Sequence, residues 1–509
     1  MRYLLLVVST ALLAALAPLV QAETGFANLE RGPHGVGFRL VQQYDYSRSY
    51  REKNDVVNGQ PFTGERARPV QTLIWYPAAS NAGTRLPYSD YIRTEATDID
   101  YGHAKSDVDA FVANQLKSAV AAIGETQAKA KFAQRMWAVR DAAPLAGKYP
   151  VVVYAPGGGS PAHEAADVGE YLASHGYVVI VSRNLGTRSY LMTVDREGAE
   201  TQARDISFLV SYAHTLPFAD TAHIAAAGWS WGGMTNLFAA AADNRISAVI
   251  SLDGTREPDL TKMLPVSRLT IPWLYISRKL ATISELNKRG IESSFSLLNA
   301  ARHMQLYQVV MQPMVHVDFS PEALRFQPPS HFDEYTREEV EQAYYWTARY
   351  MLAFVDAYLK NDAAGLAFVQ RSPTQNGAPR HMALYEPRAA DVGPVATRAG
   401  FATELAKRGF DHAVEIYTAL HGRDSTFVLS ESDLNAWGYE LLRSDKQAAG
   451  VEIFKLGVSL YPNASNLHDS LAEGYEALDN KPAAIGSYQK SLDLDPKNGH
   501  AADRLKALR

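Results

Sequence analysis

Between residues 149 and 311 short continuous apolar runs alternate with amphipathic stretches. The runs cover 150–155, 177–181, 224–228, 248–252, 271–276 and 306–311. Each is strand-length and apolar throughout, the pattern of a strand buried on both faces. The stretches between them are helical in period. In 197–216, Ile206, Leu209, Val210 and Tyr212 share one side, and 164–175 and 340–359 read as further helices. Repeated strand–helix units predict an α/β domain with a mostly parallel sheet flanked by helices. The helix over 340–359 closes it.

The rest of the chain is patterned differently. Residues 30–88 hold short alternating runs, 36–41 and 70–75, and Tyr76-Pro77 is expected to stop the second. Residues 89–148 are rich in Ala, Asp and Lys with helical spacing over 108–138, which predicts a helical insertion or cap beside the sheet. Residues 373–398, rich in Pro, Gly, Ala and Arg, read as a linker. From 399 to 509 the chain is helical and repetitive. Aligning Tyr461-Pro462 with Asp495-Pro496 gives a 34-residue period. Trp437-Gly438 then matches Leu471-Ala472, Gly450 matches Ala484, Phe454 matches Tyr488 and Gly457 matches Ser491. Small residues recur where paired helices must approach, and aromatics where they interlock. This resembles two tetratricopeptide repeats, with a degenerate third unit over 401–420 carrying Gly409, Ala413 and Tyr417. Such an all-α module offers a surface for a protein or peptide partner, or serves as a stabilising appendage.

Composition narrows the chemistry. The 509 residues carry 50 Lys+Arg against 55 Asp+Glu, a net charge of -5, so no basic face for nucleic acid is implied. There is no cysteine, which removes disulfides, thiolate metal sites and a cysteine nucleophile. Arg2, an apolar run over 4–20 and small residues at Val20 and Ala22 form the three parts of a secretory leader over 1–22. An uncleaved anchor is the other reading of that run. Cleavage after Ala22 would leave a periplasmic or secreted chain without a membrane span: a domain over 23–372, the linker, and the helical module.

The sharpest local signal is Gly228-Trp229-Ser230-Trp231-Gly232, with Gly233 next. A strand runs into it and a helix runs out, the setting of a nucleophile elbow. A serine nucleophile needs a base, and the base an orienting acid. The run 248–252 ends in Asp253-Gly254, whereas 271–276 ends in Ser277-Arg278-Lys279 without a carboxylate, so Asp253 is the expected acid. His316, in the loop beyond the run 306–311, is the expected base. His331 is the alternative, and His303 precedes that run at the wrong end of the sheet. Two backbone N–H groups must receive the oxyanion. Trp231, after the nucleophile, supplies one. Gly158, or failing it Gly159, supplies the other from Ala155-Pro156-Gly157-Gly158-Gly159-Ser160. That glycine run has no Gly-Lys-Ser/Thr after it and is not a phosphate loop. Ser487-x-x-Lys490 fits a penicillin-recognising signature but falls in a repeat helix without Lys-Thr-Gly. His316-x-Asp318 has no third ligand nearby, so no metal and no cofactor are expected.

Residues 32–359 resemble an α/β-hydrolase of the platelet-activating-factor acetylhydrolase and dienelactone-hydrolase-like group. The resemblance rests on Val36-Gly37, Asp45-Tyr46-Ser47-Arg48 and Trp75-Tyr76-Pro77. It continues through 149–183, with Leu172-Ala173-Ser174-His175-Gly176-Tyr177, the elbow 228–233, Asp253-Gly254 and 316–319. It implies Ser230 as nucleophile, Asp253 as acid, His316 as base and Gly158 and Trp231 as oxyanion donors, acting on a small-molecule carboxylic ester through an acyl-enzyme. Two features depart from the group: Pro156-Gly157 stands where His-Gly is common, and dienelactone hydrolases proper use cysteine, so the serine-using acetylhydrolases are the nearer analogy. A peptidase or amidase on the same three residues is one alternative. A repeat-bearing interaction protein with a vestigial hydrolase domain is the other.

Overall fold

The computed structural model describes residues 23–55, 57–80, 82–254, 264, 269–279 and 297–509. The leader expected over 1–22 lies outside them. In chain order the strands are β1 (Gly35–Val41), β2 (Tyr44–Ser49), β3 (Ala67–Pro69), β4 (Thr72–Ala78), β5 (Arg85–Pro87), β6 (Arg135–Arg140) and β7 (Tyr149–Ala155). They continue as β8 (Val178–Ser182), β9 (Ala219–Trp229), β10 (Ile246–Leu252), β11 (Trp273–Arg278), β12 (Leu306–Met311) and β13 (Ala383–Tyr385). The first helices are α1 (Tyr88–Glu95), α2 (Lys105–Ile123), α3 (Glu125–Ala133), α4 (Ala166–Ser174), α5 (Arg196–Ala213) and α6 (Trp231–Ala242).

Among the described residues, eleven strands make one sheet in the order β13-β12-β11-β10-β9-β7-β8-β4-β1-β6-β5. The six from β8 to β12 are parallel, and β4 joins β8 antiparallel. The continuous apolar runs are explained by burial on both sides. Val152, Tyr154, Val179, Val181, Ala225 and Ala227 belong to one core, and their chain neighbours Val151, Val153, Val178, Ile180, Ile224 and Ala226 to the other. The first core is covered by α4 and the helix Arg337–Leu359, the second by α5 and α6. This is an α/β-hydrolase fold followed by a helical module. Each parallel strand delivers its C-terminal end to the same edge, where an open α/β sheet places its ligand site.

Three elements differ from the sequence expectation. Pro77 does not stop β4, which runs on to Ala78. Pairing with β8 ends at Trp75, so the proline's missing N–H interrupts no bond on that side. The segment 89–148 is not purely helical: α2 and α3 are followed by β6, which pairs parallel with β1. Buried Glu170 of α4 fixes β6 by accepting from the N–H groups of Trp137 (2.6 Å) and Ala138 (3.1 Å). The stretch 373–398 is more than a linker, because β13 pairs antiparallel with β12 at the sheet edge.

Beyond it, the helices Glu431–Arg443 and Gln447–Leu460 recur 34 residues later as Ser465–Ala477 and Lys481–Leu494. A shorter pair, Arg398–Arg408 and Ala413–Arg423, precedes them and Gly499–Leu508 follows. A Cβ on Gly438 would overlap the Phe454 ring, so the small residue is where the paired helix seats its aromatic.

Candidate active site

Ser230 sits between β9 and α6 with φ 55° and ψ -123°, a backbone region that costs a non-glycine residue free energy and is held by its surroundings. Its N–H donates to the carbonyl of Leu252 (2.8 Å), tying the turn to β10. The flanking glycines are required by close approach. A Cβ on Gly228 would stand 2.5 Å from the carbonyl oxygen of Ala155, and one on Gly232 would overlap that same oxygen. Ala155 ends β7, so both glycines press the elbow against the start of the glycine-rich loop.

Asp253 follows β10 and also has a left-handed backbone, φ 49°. Its N–H donates to Ile276 (2.7 Å). A Cβ on Gly254 would overlap the carbonyl oxygen of Ser230, so this Asp-Gly turn packs directly beneath the serine. His316 opens a short 3-10 turn, His316–Phe319, after β12. Its Nε2 lies 2.8 Å from Ser230 Oγ and its Nδ1 2.6 Å from Asp253 Oδ2. A carboxylate can only accept, so the proton belongs on Nδ1 and Nε2 is free to accept from the serine hydroxyl. The Asp253 side chain is 1% exposed, and a charge so buried needs partners. Besides His316 it has Arg278, whose guanidinium lies 3.0 Å from Oδ2 and whose backbone N–H donates to Oδ1 (3.1 Å).

Neither alternative histidine reaches the serine. His331 Nε2 is 2.7 Å from Asp318 Oδ1, and Asp318 Oδ2 accepts from Val315 N–H (2.7 Å). The pair braces the turn that carries His316. His303 Nδ1 faces the carbonyl of Asp391 at 3.3 Å. Among the described residues, the one cluster with metal-ligand spacing is Asp469, Glu473 and His500, in the helical module.

The glycine-rich loop turns tightly, Ser160 N–H donating to the carbonyl of Gly157 (3.1 Å). Gly157 N–H is used by buried Glu164 Oε2 (3.1 Å), which leaves Gly158 and Gly159 as the amides beyond it. A Cβ on Gly158 would lie 3.6 Å from Trp231 Cβ, so the two expected donors are neighbours. Trp231 begins α6, where helical N–H groups have no intrahelical acceptor. Burial pushes the Glu164 carboxyl up to about 8.

Arg278 and Trp229 were not legible as site residues. Arg278 ends β11, the run that carries no carboxylate of its own, and it grips Asp253 at the end of the neighbouring strand. Trp229 Nε1 donates to the His316 carbonyl (2.9 Å), and its ring lies 5.3 Å from the imidazole. Its place inside the elbow motif was the only available signal.

The prolyl oligopeptidase family is matched over residues 167–267, from α4 through the elbow to just past Asp253. Among solved structures, the chain is similar to a ferulic acid esterase from Streptomyces cinnamoneus, at 20% identity and a TM-score of 0.47, covering 69% of this chain and 96% of that one. No curated protein matches. The fold and the matched segment define the class: a serine hydrolase of the α/β-hydrolase type.

Proposed function

We propose that the chain is an exported carboxylic-ester hydrolase with Ser230 as nucleophile, His316 as general base and Asp253 as its orienting acid. The observation that carries this is the unbroken line Ser230 Oγ–His316 Nε2 (2.8 Å), His316 Nδ1–Asp253 Oδ2 (2.6 Å). His316 takes the serine proton as Oγ attacks the ester carbonyl, and Asp253 stabilises the imidazolium that forms. The N–H groups of Gly158 and Trp231 receive the oxyanion. The alkoxide leaves with the proton from His316, and water, activated by the same base, releases the acid. The residues shared with the acetylhydrolase group support an ester as substrate. The leader pattern over 1–22 supports export, and among the described residues no helix is long and apolar enough to cross a membrane. The 34-residue helix pairs support a tetratricopeptide-like module, with a protein or peptide as its partner.

The family match favours a second reading, a peptidase on the same residues. Rates on a p-nitrophenyl ester series set beside prolyl and other aminoacyl anilides decide between them. The ester reading expects turnover of at least one ester and none of the anilides; efficient anilide cleavage with idle esters reverses it.

A further inference from the structure

Arg183 stands immediately after β8, with its side chain 5% exposed. Its Nη2 donates to the carbonyl of Gly159 (2.9 Å). Its Nη1 meets Glu95 Oε1 (2.9 Å) and Asp98 Oδ2 (2.8 Å), which lie at and just beyond the end of α1. The Tyr190 ring lies 4.2 Å from the guanidinium carbon. Two residues on, Met192 reaches the loop, its sulfur 3.5 Å from where a Gly158 Cβ would stand.

We propose that Arg183 is a positioning residue for the oxyanion loop, braced by carboxylates from the insertion. The inference rests on the reading of Ser230 as nucleophile. A peptide unit is planar, with C=O and N–H pointing opposite ways. Arg183 holds the oxygen of the Gly159–Ser160 peptide, which aims the Ser160 N–H away from Arg183, at the carbonyl of Gly157. That carbonyl belongs to the Gly157–Gly158 peptide, whose N–H is the Gly158 donor. Two rigid planes in series therefore transmit the hold of Arg183 to the amide that receives the oxyanion. A bound oxyanion needs that amide before it forms, because an amide that must reorient during reaction stabilises little. Lysine keeps the charge, but its compact ammonium lacks the planar fork that spans Gly159 and the two carboxylates.

The test is Arg183→Lys beside Arg188→Lys, a control at an exposed pair with Glu52. Active sites are counted by fluorophosphonate titration, so that misfolded protein drops out. Per active site, Arg183→Lys is expected to lose roughly 10- to 100-fold in kcat, less than deleting a donor outright, with KM nearly unchanged. Inhibition by a trifluoromethyl ketone, whose adduct carries the oxyanion, should weaken by a similar factor while the pH profile keeps its shape. Arg188→Lys should match wild type. Should Arg183→Lys not fold, Glu95→Gln, which weakens the brace, is expected to move kcat and the inhibition constant together by a smaller factor. A variant that merely folds less well, with kcat and ketone affinity per site unchanged, overturns the proposal. A wild-type enzyme with no titratable site overturns instead the reading of Ser230.

Discussion

Asp253 shares its carboxylate between His316 and Arg278, and the proposed role of orienting His316 requires that charge to be kept. Asp253→Asn retains the shape but turns one oxygen into a donor, which stabilises the wrong histidine tautomer. A loss of roughly 10⁴-fold in kcat is expected, with KM little changed, in steady-state kinetics per active site. Glu164 makes a different prediction. Its folded-state carboxyl is raised from the ordinary 4.5 to about 8 by burial, so the folded protein holds that proton more tightly than the unfolded chain. The associated stability is full below about 4.5 and is lost as pH rises through about 8. Glu164→Gln should flatten the fall of the thermal midpoint across that window; an unchanged slope would exclude Glu164 as its source. At this scale the meeting of Ser230, Asp253 and His316 was legible because each follows a strand that the apolar pattern locates. Arg278, Trp229 and Arg183 were not. Each acts on a residue from another strand or loop, and no spacing in the chain encodes such a contact.

At the scale of elements, the parallel strands were legible because burial on both faces leaves a continuous apolar run. β6 and β13 were not. β6 begins two residues after α3, and its apolar core, Met136 to Val139, becomes a strand through its pairing with β1 and β5 and through Glu170. β13 has three residues in a Pro- and Gly-rich stretch, and only the open edge of β12 makes it a strand. The helix pairs were legible because the same contact recurs: Gly438 under Phe454, then Ala472 in one cluster with Tyr488. Gly438→Ala should therefore destabilise the first pair by about 1–3 kcal/mol, the usual cost of overpacking. Urea denaturation should show the loss, Phe454→Leu should recover part of it, and ester hydrolysis per active site should not change.

Across the whole molecule, the insertion and the sheet edges gain a purpose that their patterning did not announce. The segment 89–148 sends β6 into the sheet and sets Glu95 and Asp98 against Arg183, so it braces the hydrolase domain from within. The stretch after 372 closes the far edge before the helical module begins. The lack of cysteine leaves the whole assembly to be held by its cores and by buried ion pairs such as Arg68–Asp205 and Arg325–Asp167. The proposed chemistry rests on one hydroxyl, that of Ser230. The most direct measurement is fluorophosphonate labelling of wild type and Ser230→Ala, with the modified residue located by mass spectrometry. A single phosphonylated residue, Ser230, is expected in the wild type and no label in the variant. An unlabelled wild type, or equal labelling of both proteins, would rule out Ser230 as the nucleophile.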